Sequence, residues 1–552
     1  MKYGSFFKSK GFSVILMSLV AIVYLFQISD VFDRKIDLNG DNIYYFTLAQ
    51  SLSGGQGYSS IIGIDGPVPH MHFPPGYPAF LSVFMRLGVD TPLQVKIINC
   101  ILLLAGIMLF FLIIRKTGCS PLFSAAVCLM LSFHAEILRW ASMMMSEQLF
   151  LVVNLLIIFL LCDFNPEDIF RKGAWKDRLK ILFAGLLAGY SYLIRTMGAS
   201  MTVAVVIWAV VLAVRLFSRK AGKESRELKK AAGYGIAALV VLVSFLGTKG
   251  AWDARNESIS PGFRSEYLGD FMKKGNGSTM ESLADWENRI SNNLETYITY
   301  YIPDALFEKE YQAGEKNPGA MDRIGGNVVF LLIVLGLGSA SGAGLLMLLY
   351  CGVTFGVLLV WPEQFSGLRY FVTLIPLLVF GFCKGIYAVC DFALKKWSGI
   401  RSEAVVLAPV IVFLFVAIPR YNKAQQYYHN VAKEESWTSS PIPAIRQYAQ
   451  ASEWIGKNLP KEARIICRKP ELLYMMSGYH HANSFPHYAS TEEIMNLIDD
   501  RSIEYVLLDV MYSHAYRTVY PAIVGHPDRF RLVRTWSENG NDSPTMLVQV
   551  IR

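Results

Sequence analysis

Charge is scarce in this chain, and several familiar signatures are missing. Only 17% of the 552 residues are charged while 53% are hydrophobic; a soluble protein carries roughly a quarter charged residues. The apolar residues also come in long blocks, which excludes an ordinary soluble enzyme and implies repeated membrane spans. The eight cysteines include no C-x-x-C pair, and only Cys467 falls in a segment expected outside the cytoplasm. Neither a disulfide framework nor a zinc ribbon follows. No P-loop, G-x-S-x-G or H-E-x-x-H motif occurs, and no G-x-G-x-x-G follows a strand-like run. No repeat at solenoid spacing is evident. The net charge of +8 does not point to nucleic acid, because the Lys and Arg residues sit mainly in loops beside apolar blocks. No small-residue cleavage site follows the first apolar run, so that run reads as a signal anchor.

What the chain does hold is a series of about eleven apolar blocks of roughly 16–20 residues, enough to cross a bilayer with some tilt or thinning. They fall near 11–28, 95–114, 121–137, 147–162, 181–196, 200–217, 232–248, 327–342, 344–361, 370–388 and 403–419. Basic residues gather in alternate loops: Lys8 and Lys10, Arg115 and Lys116, the runs 171–180 and 215–230, and Lys395, Lys396 and Arg401. By the positive-inside rule those loops are cytoplasmic, with the N-terminus inside and the tail outside. One junction has two readings. Gly336, Gly338, Gly342 and Gly344 form either a tight turn or part of one closely packed helix.

The expected fold class is mainly α, a polytopic membrane protein with about eleven transmembrane helices. Interfacial helices occupy its first outer loop, and a soluble α/β domain follows at the C-terminus. Residues 1–420 form the transmembrane part, with outer loops at 29–94 and 249–326; residues 421–552 form the extracytoplasmic domain. In that domain helices are expected at 446–457, 470–476 and 491–500, and strands at 463–467, 481–485, 503–508, 530–536 and 545–551.

The first outer loop concentrates residues that can do chemistry. Gly40 and Asp41 open a helix-forming run that the glycines of 53–57 stop, with Tyr44, Tyr45 and Leu48 free to face lipid or neighbouring helices. Pro74-Pro75-Gly76-Tyr77-Pro78 then launches a second short helix through 79–87. Two such helices can roof a membrane cavity. Asp41 reads either as a general base for an acceptor hydroxyl or as a helix N-cap, and the two roles are compatible. Glu147, heading the fourth apolar block, either faces a cavity or pairs with Arg139. Arg195 and Arg369 lie at the outer edge, where arginine is less expected; they either grip a phosphate bidentately or snorkel to headgroups. His70 and His72 form an H-x-H without a third ligand at a telling spacing, which favours hydrogen-bonding loop histidines over a metal site. No cofactor is required by this set, and a divalent metal is not indicated.

Taken in order, Asp41-x-x-Tyr44-Tyr45, Gly55-x-Gly57-Tyr58, Pro74-Pro-Gly-Tyr-Pro78, Ser146-Glu147, Arg195 and Arg369-Tyr370 resemble the C-type superfamily of membrane glycosyltransferases. The likeness is strongest to its protein-mannosyltransferase and aminoarabinose-transferase branch. Each motif is short, and their order along nearly the whole chain carries the resemblance. It implies an enzyme that moves a sugar from a polyprenyl-phosphate carrier to an extracytoplasmic acceptor (lipid, glycan or protein), with inversion at the sugar carbon. Asp41 and Glu147 then match catalytic acidic positions, and Arg369, helped by Arg195 and His72, meets the carrier phosphate. Tyr44, Tyr45, Tyr77, Arg139 and Tyr370 border these motifs as candidate substrate contacts. In one departure, Phe73 stands before the proline pair where relatives carry a basic residue, which leaves His72 as the nearest substitute. The expected setting is a bacterial cytoplasmic membrane, with donor, acceptor and bilayer as partners and no nucleic acid. The rival is a polytopic transporter or lipid flippase with a soluble C-terminal domain, its charges lining a path. The lack of an inverted repeat, the few mid-block charges and the elaborate outer loops count against it.

Overall fold

The computed structural model describes residues 10–218, 225–263, 269, 271–273, 279–308, 318–363, 367–397, 403–537 and 543–552. Lys8, Arg401 and part of the basic run 215–230 lie outside the described residues. The chain opens with α1 (Lys10–Val31), α2 (Gly40–Ser53), a hairpin of β1 (Ser59–Ser60) and β2 (Val68–Pro69), and α3 (Gly76–Arg86). α4 (Pro92–Lys116) starts on a capping box between Thr91 and Gln94 and ends on Arg115 and Lys116, which complement its dipole. α5 (Pro121–Phe133) and α6 (Ala135–Ala141) bend by 64° at His134. Then come α7 (Glu147–Cys162), α8 (Trp175–Ile194), α9 (Ala199–Ser218) and α10 (Ser225–Ile259). α11 (Leu283–Thr296) and α12 (Ile302–Phe307) flank a π-helical turn, Tyr297–Tyr301. α13 (Ala320–Ser339), α14 (Gly344–Val360), α15 (Ile375–Trp397) and α16 (Glu403–Lys433) complete the membrane part.

A helix lies at each of the eleven expected positions. Among the described residues seven are long and apolar enough to cross a bilayer, or eight if the bent α5–α6 pair is one span. The chain is an integral membrane protein, and its length-and-composition count falls short of eleven for local reasons. α7 and α14 have only 16 and 17 residues, and α8 opens on Lys176, Asp177, Arg178 and Lys180. The glycine-rich junction is a turn: α13 and α14 are separate, with Gly342 at φ 64° between them. Gly336 has another task. A Cβ there would collide with the carbonyl of Gly381 and the amide of Gly385, so bare backbone lets α13 and α15 meet.

The α/β domain begins with α17 (Pro443–Asn458), because α16 runs unbroken past the expected edge at residue 420 to Lys433. It continues through β3 (Ile465–Cys467), α18 (Pro470–Met476), β4 (Ala482–Asn483), α19 (Thr491–Asp500) and β5 (Tyr505–Leu508). Two short helices, α20 (Ser513–Thr518) and α21 (Tyr520–Gly525), precede β6 (Phe530–Trp536) and β7 (Thr545–Val550). The sheet order is β4-β3-β5-β7-β6; β3 is parallel to β4 and β5, and β7 is antiparallel to β5 and β6.

α2 takes the second of its two expected settings and packs against neighbouring elements. Tyr45, Phe46, Leu48 and Ala49 pack into the membrane core, whereas Ile43 belongs to the core of the α/β domain with Tyr448, Ile465 and Leu472. Buried on both sides, the helix is a wedge between two bodies. α3 also starts earlier than expected, at Gly76, with Pro78 in its first turn where a missing N–H is tolerated. The first loop and the tail are tied at several points. The Ala482 N–H donates to the Ile62 carbonyl at 3.2 Å, and Asn483 Oδ1 accepts from the Ile64 N–H at 3.1 Å. Asp65 pairs with Arg464 at 3.3 Å and with Arg501. Lys35 Nζ donates to the carbonyls of Val431 and Glu434 at 2.6 and 2.9 Å, and Trp437 Nε1 to that of Ile36 at 2.7 Å.

Candidate active site

Asp41 is not the N-cap of its helix. Asn39 is: its side chain accepts the Asp41 backbone N–H at 3.3 Å. Asp41 stands two residues past the cap, and its carboxylate Oδ2 instead accepts from Arg369 Nη2 at 2.8 Å. Arg369 lies on the 3-10 turn Leu368–Tyr370 ahead of α15, and its Nε donates to Glu147 Oε1 at 3.2 Å. The same Glu147 oxygen meets Arg195 Nη1 at 2.7 Å, and Arg195 also donates to Ser146 Oγ at 3.1 Å. The structure thus brings Asp41, Glu147, Arg195 and Arg369 together, although the first and last are 328 residues apart.

Each partner has a local reason for its position. Glu147 is 1% exposed at the first turn of α7, where the helix dipole favours an anion, and two guanidinium groups balance its buried charge. Burial works against the charge on Arg369, but Glu147 and Asp41 outweigh it and hold the group above the ordinary guanidinium value. Arg195 follows the last turn of α8 in extended backbone before the turn Thr196–Gly198. The end of α8 is gripped by the first loop: a Cβ on Gly76 would meet the backbone of Leu193 and Ile194, and the Tyr190 hydroxyl donates to the Gly76 carbonyl at 3.0 Å. Glycine is the residue that permits this approach.

Several supports were not legible as site residues. Asn99, in the apolar body of α4, accepts from the Tyr77 hydroxyl at 3.1 Å. Its Nδ2 donates to the carbonyls of Met143 and Met145 at 2.6 and 2.9 Å, which fixes the loop entering Glu147. A polar side chain amid apolar residues was the available signal. Trp140 lies with its ring 5.3 Å from the Arg369 guanidinium, and its Nε1 donates to Glu136 Oε2 at 3.0 Å.

The charged cluster borders a cavity of about 470 Å³. Asp41, Arg195, Arg369 and His72 make one part of its wall polar, while Val203, Val353 and Val357 make another apolar. Tyr45 and Tyr370 also line it. Tyr77 is buried behind Tyr45, their rings 5.3 Å apart. Tyr44 packs against His70 and Phe73. Arg139 does not pair with Glu147; it pairs with Glu136 at 3.5 Å and faces a second cavity.

The two loop histidines have different surroundings. His70 Nε2 accepts the Phe73 N–H at 3.0 Å, which requires that nitrogen to be unprotonated. Burial, with His72 and Arg255 nearby, pulls His70 down from 6.5 to about 3. Among the described residues no group of three His, Cys, Asp or Glu side chains is arranged to hold a metal ion.

No protein-family model matches the chain, and no curated protein matches it in sequence. Its fold is similar to that of the archaeal oligosaccharyltransferase AglB from Archaeoglobus fulgidus in complex with an inhibitory peptide and a dolichol-phosphate. The TM-score is 0.55 at 12% identity, over 97% of this chain and 74% of that one. The apo form of the Archaeoglobus fulgidus oligosaccharyltransferase gives 0.58 at 12% identity, over 98% and 74%. ArnT from Cupriavidus metallidurans bound to undecaprenyl phosphate gives 0.54 at 11% identity, over 98% of both chains. At these identities the likeness is one of fold, and the chain has the C-type glycosyltransferase fold.

The His70 geometry sets a pH dependence. Its folded pKa lies below its unfolded value, so the folded loop binds fewer protons. The stabilisation is complete above pH 6.5 and is lost as pH falls from there towards about 3. The protection factor of the Phe73 amide, its exchange rate relative to that of an unstructured amide at the same pH, is expected to fall as pH drops through that window; protection that is flat with pH would mean that the His70 bond does not hold this amide.

Proposed function

We propose that this protein is an integral-membrane glycosyltransferase that moves a sugar from a polyprenyl-phosphate carrier to an acceptor hydroxyl outside the cytoplasm, with inversion. The observation that carries the proposal is the Asp41–Arg369 pair at the polar wall of a cavity whose other wall is apolar. A lipid phosphate asks for that combination, cation at the head and hydrocarbon along the tail. The fold supports the reading, since the ArnT structure holds undecaprenyl phosphate and one AglB structure a dolichol-phosphate.

In this mechanism the carrier tail lies along Val203, Val353 and Val357, and its phosphate engages Arg369 and Arg195, with His72 nearby. Arg369 keeps its Nε bond to Glu147 while the phosphate competes for Nη2, and Asp41 then turns to the acceptor. The acceptor oxygen bonds to the sugar carbon as the carbon–oxygen bond to phosphate breaks. Asp41 takes the hydroxyl proton, and polyprenyl phosphate leaves with the bonding pair, its charge met by the arginines. Glu147 Oε1 is shared by two guanidinium groups while Oε2 is buried without a hydrogen-bond partner, so in this mechanism Glu147 positions the arginines and Asp41 takes the proton. Phe73 packs edge-on to His72, with ring centroids 4.6 Å apart, and orients that side chain where relatives of the resembling branch carry a cation.

The mechanism is tested at its two ends. Asp41→Asn is expected to fold normally, because Asn39 supplies the cap, yet to lose transfer by about a hundredfold or more. Turnover near that of the parent, under conditions where chemistry limits the rate, would leave Asp41 a structural partner of Arg369. Arg369→Ala is expected to abolish binding of undecaprenyl phosphate, and Arg369→Lys to restore only part of it, lacking the two-pronged geometry. Unchanged binding in both variants would place the phosphate elsewhere. The site is proposed to face the extracytoplasmic side; a tag after Arg552 should then be protease-accessible in intact spheroplasts, and protection would reverse the orientation.

A further inference from the structure

The α/β sheet reverses its winding between β3 and β5. From β3 the chain passes through α18 to β4 on one side, then returns through α19 to β5 on the other. In open sheets ligands bind outside the carboxyl ends of the parallel strands at such a reversal. Here those ends carry Arg468 after β3, and Asp509 and Tyr512 after β5. Asp509 is fully buried with its Oδ2 unpartnered, and the Nε of Arg468 is likewise buried and unpartnered.

Of these residues Tyr512 alone borders a second cavity, distinct from the one at Arg369. Tyr512 forms part of its wall, and Asp37, Arg139 and Trp437 face it from the membrane side. Its volume is about 700 Å³, inside the range of about 300–1,000 Å³ usual for small-molecule sites. Asn39, the cap of the helix that carries Asp41, lines it too, so the cavity reaches the back of the proposed base.

Its chemistry narrows the occupant. Asp37 only accepts hydrogen bonds and Arg139 only donates. Trp437 has its Nε1 committed to the Ile36 carbonyl and contributes aromatic surface alone, with Lys35 Nζ 4.8 Å from its ring centroid; Tyr512 adds a second ring, with Lys469 Nζ at 5.1 Å. Hydroxyls that both donate and accept, on a ring with apolar C–H faces, satisfy all four. A strongly anionic group would meet Asp33, Asp37 and Glu434, while the Lys96 ammonium is committed to the carbonyls of Asp33 and Lys35. An extended peptide would seek a sheet edge, and beside β4 that edge is already met by the Ile62 carbonyl.

We propose that the cavity between the first outer loop and the α/β domain binds a neutral saccharide. Its role as the acceptor rests on the glycosyltransferase reading above; its binding does not. The test uses full-length protein in detergent, titrated separately with glucose, galactose, mannose and N-acetylglucosamine and followed by saturation-transfer NMR. At least one sugar is expected to bind saturably, and Tyr512→Ala and Asp37→Asn each to weaken it by about tenfold or more. Asn at position 37 keeps an oxygen for the Asn39 N–H that Asp37 accepts at 2.6 Å, so the loop is retained. Both variants should bind undecaprenyl phosphate as the parent does. Absence of saturable binding by all four sugars, or binding that neither variant moves, overturns the proposal. So does binding of an asparagine-containing peptide or of phosphatidylglycerol vesicles that Tyr512→Ala abolishes while no sugar binds. Sugar binding that depends on Tyr512, in a protein that ignores undecaprenyl phosphate, upholds the cavity and sinks the transferase reading.

Discussion

Two guanidinium groups share one buried carboxylate oxygen, and the geometry of the candidate site depends on that arrangement. Glu147 alone at the head of α7 would be an uncompensated buried charge, and removing one partner from a buried pair typically costs about 3–5 kcal/mol. With Arg195 at 2.7 Å and Arg369 at 3.2 Å it becomes an anchor. Both arginines also line the cavity, and Arg369 Nη2 reaches Asp41 there. The strap from Tyr77 through Asn99 to the carbonyls of Met143 and Met145 holds the loop before Glu147, so the anchor has its own support.

The second dependence is mechanical. α2 carries Asp41 and is buried on two sides, with Phe46 in the membrane core and Ile43 in the core of the α/β domain. Gly40 lies so close to Glu471 of α18 that a Cβ would collide with its carboxylate. A helix clamped in this way presents its first-turn carboxylate in a fixed direction, as catalysis by a positioned base requires. The ties from Ile62 and Asp65 join the first loop to the α/β domain, and Lys35 joins it to the end of α16.

Much of this was legible from residue order. Long apolar blocks predict helices because backbone groups in hydrocarbon must be satisfied within the segment, and alternating runs after Pro443 predict the strands. Asp41, Glu147, Arg195 and Arg369 stood out because charge at a span edge is costly and needs a reason. Other features left weaker traces. Short helices such as α20 and α21 lack enough periodicity to register, and the two-residue strands β1 and β2 exist only through their pairing. Where α7 and α14 are short and α8 begins with four charged side chains, length and composition alone do not confirm the count of eleven.

By itself the sequence determined the class of the protein, the positions of its helices, and which charged residues sit at the membrane edge, since those follow from hydrophobicity and local chain chemistry. Tertiary structure decided the pairings. Asp41 resembles an N-cap in one dimension, but Asn39 takes that role two residues earlier, and the carboxylate turns instead to an arginine far along the chain. Arg139, near Glu147 in sequence, faces another cavity because α6 bends away at His134. Which charges meet is set by how helices cross and where backbones can approach, as at Gly76 and Gly336, and those distances are not written in any local stretch.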